Sequence, residues 1–430
     1  MGLEYLHGSQ GVGEVFGVLG VFVLSIALML SELMPRLKAM ALGVSLLLLG
    51  GFTLEELFEA VDVGVLGLLL GMMVVVEFVK DVGLIQYMAA RSVEISGGRP
   101  LLLMVSFSAL VALASAFLDN VTTVLLVGPV VLATCDSAGF DPRPMTMAVI
   151  VSANLGGMAT LIGDPPNVMI GLRASLTFNQ FLSNMTPLAV LTTFASIAFL
   201  AFLYREELKP QPLQAERALR FRASLRDLDW RLGARVLPVF VGVLLAMALH
   251  ERLGLEPASL ALTGASAVLL LSRKPVEEVL PRLDWATLVF LAGIMMLVGA
   301  LDRVGLLSAV GGYLSSRQVL HGPWAVHAIL WASALVSSLV GSVPFTASAI
   351  PVISRIASSG GLGRSAWWAL AAGVGLGCNL TVFGGAANLV MVRMAEGVGL
   401  RVTSGDFLKV GGTSTLLSLL VSSVYFYLRY

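Results

Sequence analysis

The chain has 430 residues, 27 basic against 27 acidic side chains, 57% hydrophobic residues and only 13% charged ones, with a mean hydropathy of +0.90. That balance excludes a soluble enzyme domain, and the lack of a basic tract or basic–aromatic patch excludes a nucleic-acid binder. Long apolar runs without ten-residue alternation indicate an all-α polytopic membrane protein rather than a barrel. In chain order, crossing helices are predicted near 12–33, 38–52, 62–80, 145–172 and 186–204, then near 233–250, 257–272, 284–302, 365–392 and 407–428. The first apolar segment is too long for a signal peptide and lacks a cleavage site, so it reads as a span. Residues 100–135 and 322–358 each hold two short apolar segments hinged in the middle, either re-entrant hairpins or pairs of full crossings.

The same pattern occurs twice, about 222 residues apart. Asp62, Gly71 and Gly83 in VDVGVLGLLLGMMVVVEFVKDVGL return as Asp284, Gly293 and Gly305 in LDWATLVFLAGIMMLVGALDRVGL. SAFLDNVTTVLLVGPVV from Ser115 returns as SSLVGSVPFTASAIPVI from Ser337, and GGMATLIGDPPNVMI from Gly156 as GCNLTVFGGAANLVM from Gly377. Two related halves whose helices are broken by Gly, Pro and polar residues are the signature of a secondary transporter. The expected organisation is a first repeat over 1–204, with hairpin 100–135 and broken helix 145–172, and a linker over 205–232. A second repeat follows over 233–430, with hairpin 322–358 and broken helix 365–392. Each half crosses an odd number of times, so the second is inverted relative to the first, and the broken helices should meet at the bilayer midplane.

Loop charges orient the chain. The linker carries Arg205, Lys209, Arg217, Arg220, Arg222, Arg226 and Arg231, which places it in the cytoplasm. Arg36/Lys38, Lys80/Arg91/Arg99, Arg273/Lys274/Arg282 and Arg393/Arg401/Lys409 then fall inside too. The loop with Glu55, Glu56 and Glu59, free of Lys and Arg, falls outside with both termini, in a cell membrane. The linker reads as a plain connector or an amphipathic surface helix.

Two elements interrupt apolar sequence with polar groups, and both recur. Asp119, Asn120, Thr122 and Thr123 form the first; an ionisable group at membrane depth usually faces a cavity, although Asp and Asn also cap helices. The second runs from Asn154 through Gly156, Gly157, Thr160 and Gly163 to Asp164-Pro165-Pro166-Asn167. Its glycines permit unwinding and its tandem prolines start a new helix, with Asp164 as the expected N-cap and a positive helix end pointing into the site. The repeat equivalents are Gly341-Ser342 and Asn379, Thr381, Gly384, Gly385 and Asn388, so both carboxylates come from the first half. Candidate substrate-binding residues are therefore Asn120, Thr122, Asn154, Gly156, Gly157, Thr160, Asn167, Ser342, Asn379, Thr381 and Asn388. Asp119 and Asp164 are the proton-coupling candidates, with Asp119 the expected titrating group because Asp164 should be engaged as a cap.

Other residues read more plainly. Glu77 precedes Lys80 by one turn and should pair with it near a helix end. Cys135 and Cys378 read as small buried hydrophobes. His250, His321 and His327 lack metal-ligand spacing, and Met72, Met73, Met295 and Met296 are repeat-related packing positions. No cofactor motif is visible.

FLDNVTT and ATLIGDPPN resemble a known superfamily over nearly the whole chain. It is the ion-transporter superfamily of arsenite permeases, sodium/proton antiporters, plant silicon-efflux carriers and the mammalian pink-eyed-dilution (P) protein, and the likeness is strongest to the arsenite-permease and P-protein branch. The resemblance implies a scaffold, two hairpins and two broken helices around a midplane site. Relatives often repeat Asp-Asn at the second hairpin and Gly-Asn-Gly-Thr at the second break, where this chain has Gly341-Ser342 and Cys378-Asn379-Leu380-Thr381. It also implies a possible partner, a soluble ATPase subunit docking on the cytoplasmic linker, as happens for some arsenite permeases.

The chemistry of these groups narrows the cargo. Arsenite near neutral pH is an uncharged trihydroxide, which suits amides, hydroxyls and backbone groups. A dicarboxylate would want a positive counter-charge, and no Arg or Lys lies within either predicted site. The expected function is proton-coupled efflux of arsenite or antimonite by alternating access. Sodium/proton antiport is the alternative, and a silicate or small-anion carrier or a channel stands behind it. No nucleophile constellation suggests an enzyme, and no Gly-x-x-x-x-Gly-Lys-Ser/Thr loop suggests an ATP-driven pump.

Overall fold

A computed structural model of the chain describes residues 9–31, 33–210, 216, 228–315, 324–359 and 362–430. Most of the 205–232 linker (211–215 and 217–227) lies outside the described residues, as does His321, and so do the readings made for them.

The described residues are helical throughout. The first half runs α1 Ser9–Leu30, α2 Arg36–Leu49, α3 Leu54–Phe58, α4 Val63–Val82, α5 Leu84–Ile95, α6 Pro100–Ser115, α7 Asn120–Ala138, α8 Pro142–Gly157, α9 Pro165–Arg173 and α10 Phe178–Leu203. The second runs α11 Trp230–Leu253, α12 Pro257–Ser272, α13 Val276–Val279, α14 Trp285–Arg303, α15 Leu306–Ser315, α16 Trp324–Val340, α17 Ser342–Ser359, α18 Ser365–Gly377, α19 Ala386–Gly397 and α20 Ser404–Arg429. Each helix of the first half has its counterpart ten numbers later. Among the described residues, α1, α4, α7, α10, α11, α14 and α20 are long and apolar enough to cross a membrane.

The repeat extends to local chemistry. Asp62 accepts a hydrogen bond from the Val65 amide (3.1 Å) to open α4, and Asp284 accepts one from the Thr287 amide (3.0 Å) to open α14. Each of these helices ends at a glycine with φ of 79°, Gly83 and Gly305, which turns the chain directly into a short helix, α5 or α15. A side chain there would meet its own carbonyl oxygen, so glycine is required. The short α5 and α15 were not anticipated from the sequence, being too brief and too mixed in polarity to register as spans.

The halves are interlocked. α4 packs on α12 and α14 packs on α2, so each long scaffold helix lies against a helix of the other half. The exchange recurs at the centre, where α7 packs on α19 and α17 on α9. α10 and α20 cross where the equivalent residues Ser196 and Ser418 touch, Oγ to Oγ at 3.1 Å, which marks the pseudo-twofold axis.

Ion pairs tie these exchanges at both ends. Lys274 and Arg282 meet Asp81 at the end of α4 (2.7 and 3.2 Å), and Glu77 pairs with Lys80 (3.0 Å) as its spacing predicts. Arg303, at the end of α14, meets Glu56 and Glu59 (2.6 and 3.5 Å). The acidic loop without basic residues of its own thus receives its counter-charge, one arginine for Glu56 and Glu59, from the other half.

Candidate functional site

α6 and α7 form a hairpin whose turn, 116–119, lies against the break between α8 and α9. Ser115 Oγ donates to the Ala153 carbonyl (2.7 Å) and to Asn120 Oδ1 (2.6 Å), while the Thr160 hydroxyl donates to the Ala116 carbonyl. In the second half the Thr381 hydroxyl donates to the Ser338 carbonyl (2.7 Å), fixing the tip between α16 and α17 against the other break. A helix of 16 residues, such as α6, is about 24 Å long. Such an arm reaches one surface from the middle of an apolar core about 30 Å thick. The tips of the α6–α7 and α16–α17 hairpins thus lie at the two helix breaks. Their first arms lie backbone to backbone on the broken helices: a Cβ on Gly156 would fall 2.2 Å from the Ala112 carbonyl oxygen, and one on Gly377 2.4 Å from that of Ala334. Gly157 likewise leaves room for Asn120 Oδ1.

Each break is held open by one asparagine. Asn167 Nδ2 donates to the carbonyls of Thr160, Gly157 and Met158 (2.8, 3.1 and 3.3 Å), and Asn388 Nδ2 to those of Cys378 and Thr381 (2.7 and 3.0 Å). These carbonyls lose their intrahelical donors where the helix unwinds, and the amides replace them. The breaks are joined by Asn154, 1% exposed, whose Nδ2 donates to Asn379 Oδ1 and Asn388 Oδ1, both at 2.8 Å. Asn120 Nδ2 approaches Asn154 Oδ1 at 3.4 Å, completing a chain of amides from the first hairpin to the second break.

The two carboxylates differ from expectation. Asp119 is the cap: its Oδ1 accepts from the Thr122 amide (2.8 Å) to start α7. Asp164 occupies the N-cap position of α9, but its side chain makes no capping bond. The first two helical residues, Pro165 and Pro166, have no N–H, and the first amide that follows them, that of Asn167, donates to the Asp164 backbone carbonyl instead (3.0 Å). Half-buried, and without a hydrogen-bond partner among the described residues, the Asp164 carboxylate lies within electrostatic reach of Asp119.

The remaining predicted residues assemble around this pair. The Thr122 hydroxyl makes no hydrogen bond among the described residues, and the Ser342 hydroxyl lies near the Cys378 thiol, which donates to the Val374 carbonyl (3.4 Å). Cys378 is buried, as its apolar context predicts, and closes α18 at the second break. Two groups were missed in the sequence. Ser115 bridges hairpin and break, and its recurrence as Ser337 was the available signal. Arg36, at the start of α2, donates from Nη2 to the Phe383 carbonyl (3.4 Å) at the exposed edge of the second break. Nothing in its local sequence distinguishes it from a loop charge.

Two interlocked halves with broken helices meeting at a polar centre define a membrane transporter. The profile of the citrate transporter family matches residues 25–373, and the chain belongs to that family. It is 32% identical to the 46 kDa membrane protein of Mycobacterium leprae, covering 95% of this chain and 97% of that protein. It is 29% identical to the human P protein, over 99% of this chain and 61% of that one. The fold resembles the crystal structure of the Alcanivorax borkumensis YdaH transporter, described as having an unusual topology, with a TM-score of 0.62, 16% identity and 97% of each chain covered.

Proposed function

We propose that the chain is a proton-coupled secondary carrier that exports a small uncharged oxyacid, arsenite or antimonite, by alternating access. The carrying observation is the imbalance at the centre: the amides of Asn120, Asn154, Asn379 and Asn388 engage one another, whereas the Asp164 carboxylate, like the Thr122 and Thr123 hydroxyls, has no hydrogen-bond partner among the described residues. A buried carboxylate with no donor is costly while charged, so proton exchange there is a natural coupling step. Asp119 supports it as a second negative charge and as the cap of α7. Thr122, Ser342 and the free edges of Asn167 and Asn379 are the groups offered to the cargo. Asn120, Asn154, Thr160, Thr381, Asn388, Gly156 and Gly157 hold the geometry. In this reading both termini are external, the linker is cytoplasmic, and a soluble ATPase subunit would dock there.

Sodium/proton antiport is the weaker alternative, because the break carbonyls that a bare cation would use already accept from Asn167 and Asn388. An anionic cargo, of the kind the family description names, is favoured by one observation, Arg36 at the second break. The test is flux in proteoliposomes under an imposed pH gradient, with arsenite, sodium and citrate offered separately. Gradient-driven arsenite movement that Asp164→Asn abolishes and Arg36→Gln spares supports the proposal. Citrate flux that Arg36→Gln abolishes, with no arsenite movement, overturns it in favour of an anion carrier. Sodium exchange alone overturns it in favour of an antiporter.

A further inference from the structure

Away from the centre, α10 and α20 leave a groove of about 600 Å³ between them, lined by Leu191, Leu420, Val424, Tyr425, Leu428 and Arg429. Its volume falls in the range of about 300–1,000 Å³ that holds small ligands. Leu191, Leu420, Val424 and Leu428 are each about half exposed or more, and in a membrane chain such side chains face hydrocarbon. One end of the groove changes character. Arg429 Nε donates to Asn184 Oδ1 (3.0 Å), its guanidinium carbon stands 5.7 Å from the centre of the Tyr425 ring, and Tyr430 donates to the same Asn184 oxygen (2.7 Å). Tyr425 in turn donates to the Asn184 carbonyl (2.8 Å). The cation is thus held in place through Nε and beside the Tyr425 and Tyr430 hydroxyls, and among the described residues it meets no carboxylate, which leaves its charge for an outside anion. Tyr425 and Tyr430 beside it are the ring types that settle at headgroup level.

We propose that this groove binds an anionic phospholipid, with one acyl chain along α10 and α20 and the phosphate on Arg429. The arrangement matches both ends of that ligand. The guanidinium fork accommodates phosphate oxygens in a bidentate fashion, and the apolar trough accepts a hydrocarbon chain but offers no partner to a polar solute. Two helices of opposite halves would then be bridged by one lipid beside the Ser196–Ser418 crossing.

Native mass spectrometry of the intact purified chain, incubated with phosphatidylglycerol or phosphatidylcholine of matched acyl chains, tests this. The anionic lipid should be retained about fivefold better, the scale of one interfacial basic residue. Arg429→Gln should erase the preference, Arg429→Lys should keep most of it, and Val424→Trp should fill the trough and release both lipids. Both positions are exposed, so gel filtration of the variants checks that the fold persists. Equal retention of the two lipids, or a preference unchanged in Arg429→Gln, overturns the proposal. So does a chain dimer that Val424→Trp takes apart, which would make the groove a contact between copies.

Discussion

Asn154 commits both amide hydrogens to acceptors in the opposite half, and its interior position leaves no water to replace it. Asn154→Ala would strand Asn379 Oδ1, Asn388 Oδ1 and Asn120 Nδ2, at a cost of about 1–3 kcal/mol for each buried group left unpaired. Thermal unfolding in detergent should show a clear loss of stability. Asp119 and Asp164 should separate differently. Asparagine caps as well as aspartate, so Asp119→Asn should keep α7 and much of the flux. Asp164→Asn should leave unfolding unchanged and abolish gradient-driven exchange; pH-driven flux that survives it would remove Asp164 from the coupling step. The tandem prolines after Asp164 leave Asn167 as the first residue with an N–H, and that N–H goes to the Asp164 backbone carbonyl and not to its side chain, a choice the sequence did not show. Nor did it show Arg36, which reaches the second break from a helix start 347 positions away in the chain.

At the scale of elements, the long helices were legible because apolar runs are punctuated by Gly, Pro and charge. The start of α11 at Trp230 and the bounds of α12 at Pro257 and Ser272 lie close to the expected positions, whereas α10 begins earlier than expected, at Phe178, behind a Thr177 cap. The joints after α4 and α14 are the sharpest local test. Gly83→Ala or Gly305→Ala should each cost about 1–2 kcal/mol, the strain of a left-handed alanine, and an unchanged melting temperature would refute the strained joint. The α3 cap gives a pH signature. The backbone amide of Thr53, then its hydroxyl, and more weakly Arg303, hold the Glu56 carboxylate below its usual range. A lowered value means that its stabilising share is complete above the unfolded-state value, roughly 4.3, and disappears as pH falls through the folded one. Glu56→Gln should therefore flatten the acid limb of the stability profile and change little at neutral pH.

Across the whole molecule, the repeat was readable but the exchange of partners between repeats was not, since matching equivalent segments says nothing about which distant helix each one packs on. That exchange predicts that residues 1–210 expressed alone will not fold, having lost the partners of α2, α4, α7 and α9. Co-expression with 228–430 should restore a complex that purifies together; a stable monomeric first half would contradict the interlock. The pseudo-twofold axis has one more consequence. Two identical inverted halves would make the inward-facing and outward-facing arrangements mirror exchanges of the same contacts, equal in energy, and an idle carrier would wait on each side half the time. Here Asp119 is matched by Gly341, Asp164 by Gly385 and Asn154 by Gly375. Swapping the roles of the halves no longer returns the same set of bonds. If the chain alternates as proposed, its resting equilibrium should be biased by whatever those three glycines fail to supply, giving a preferred door before any gradient is applied.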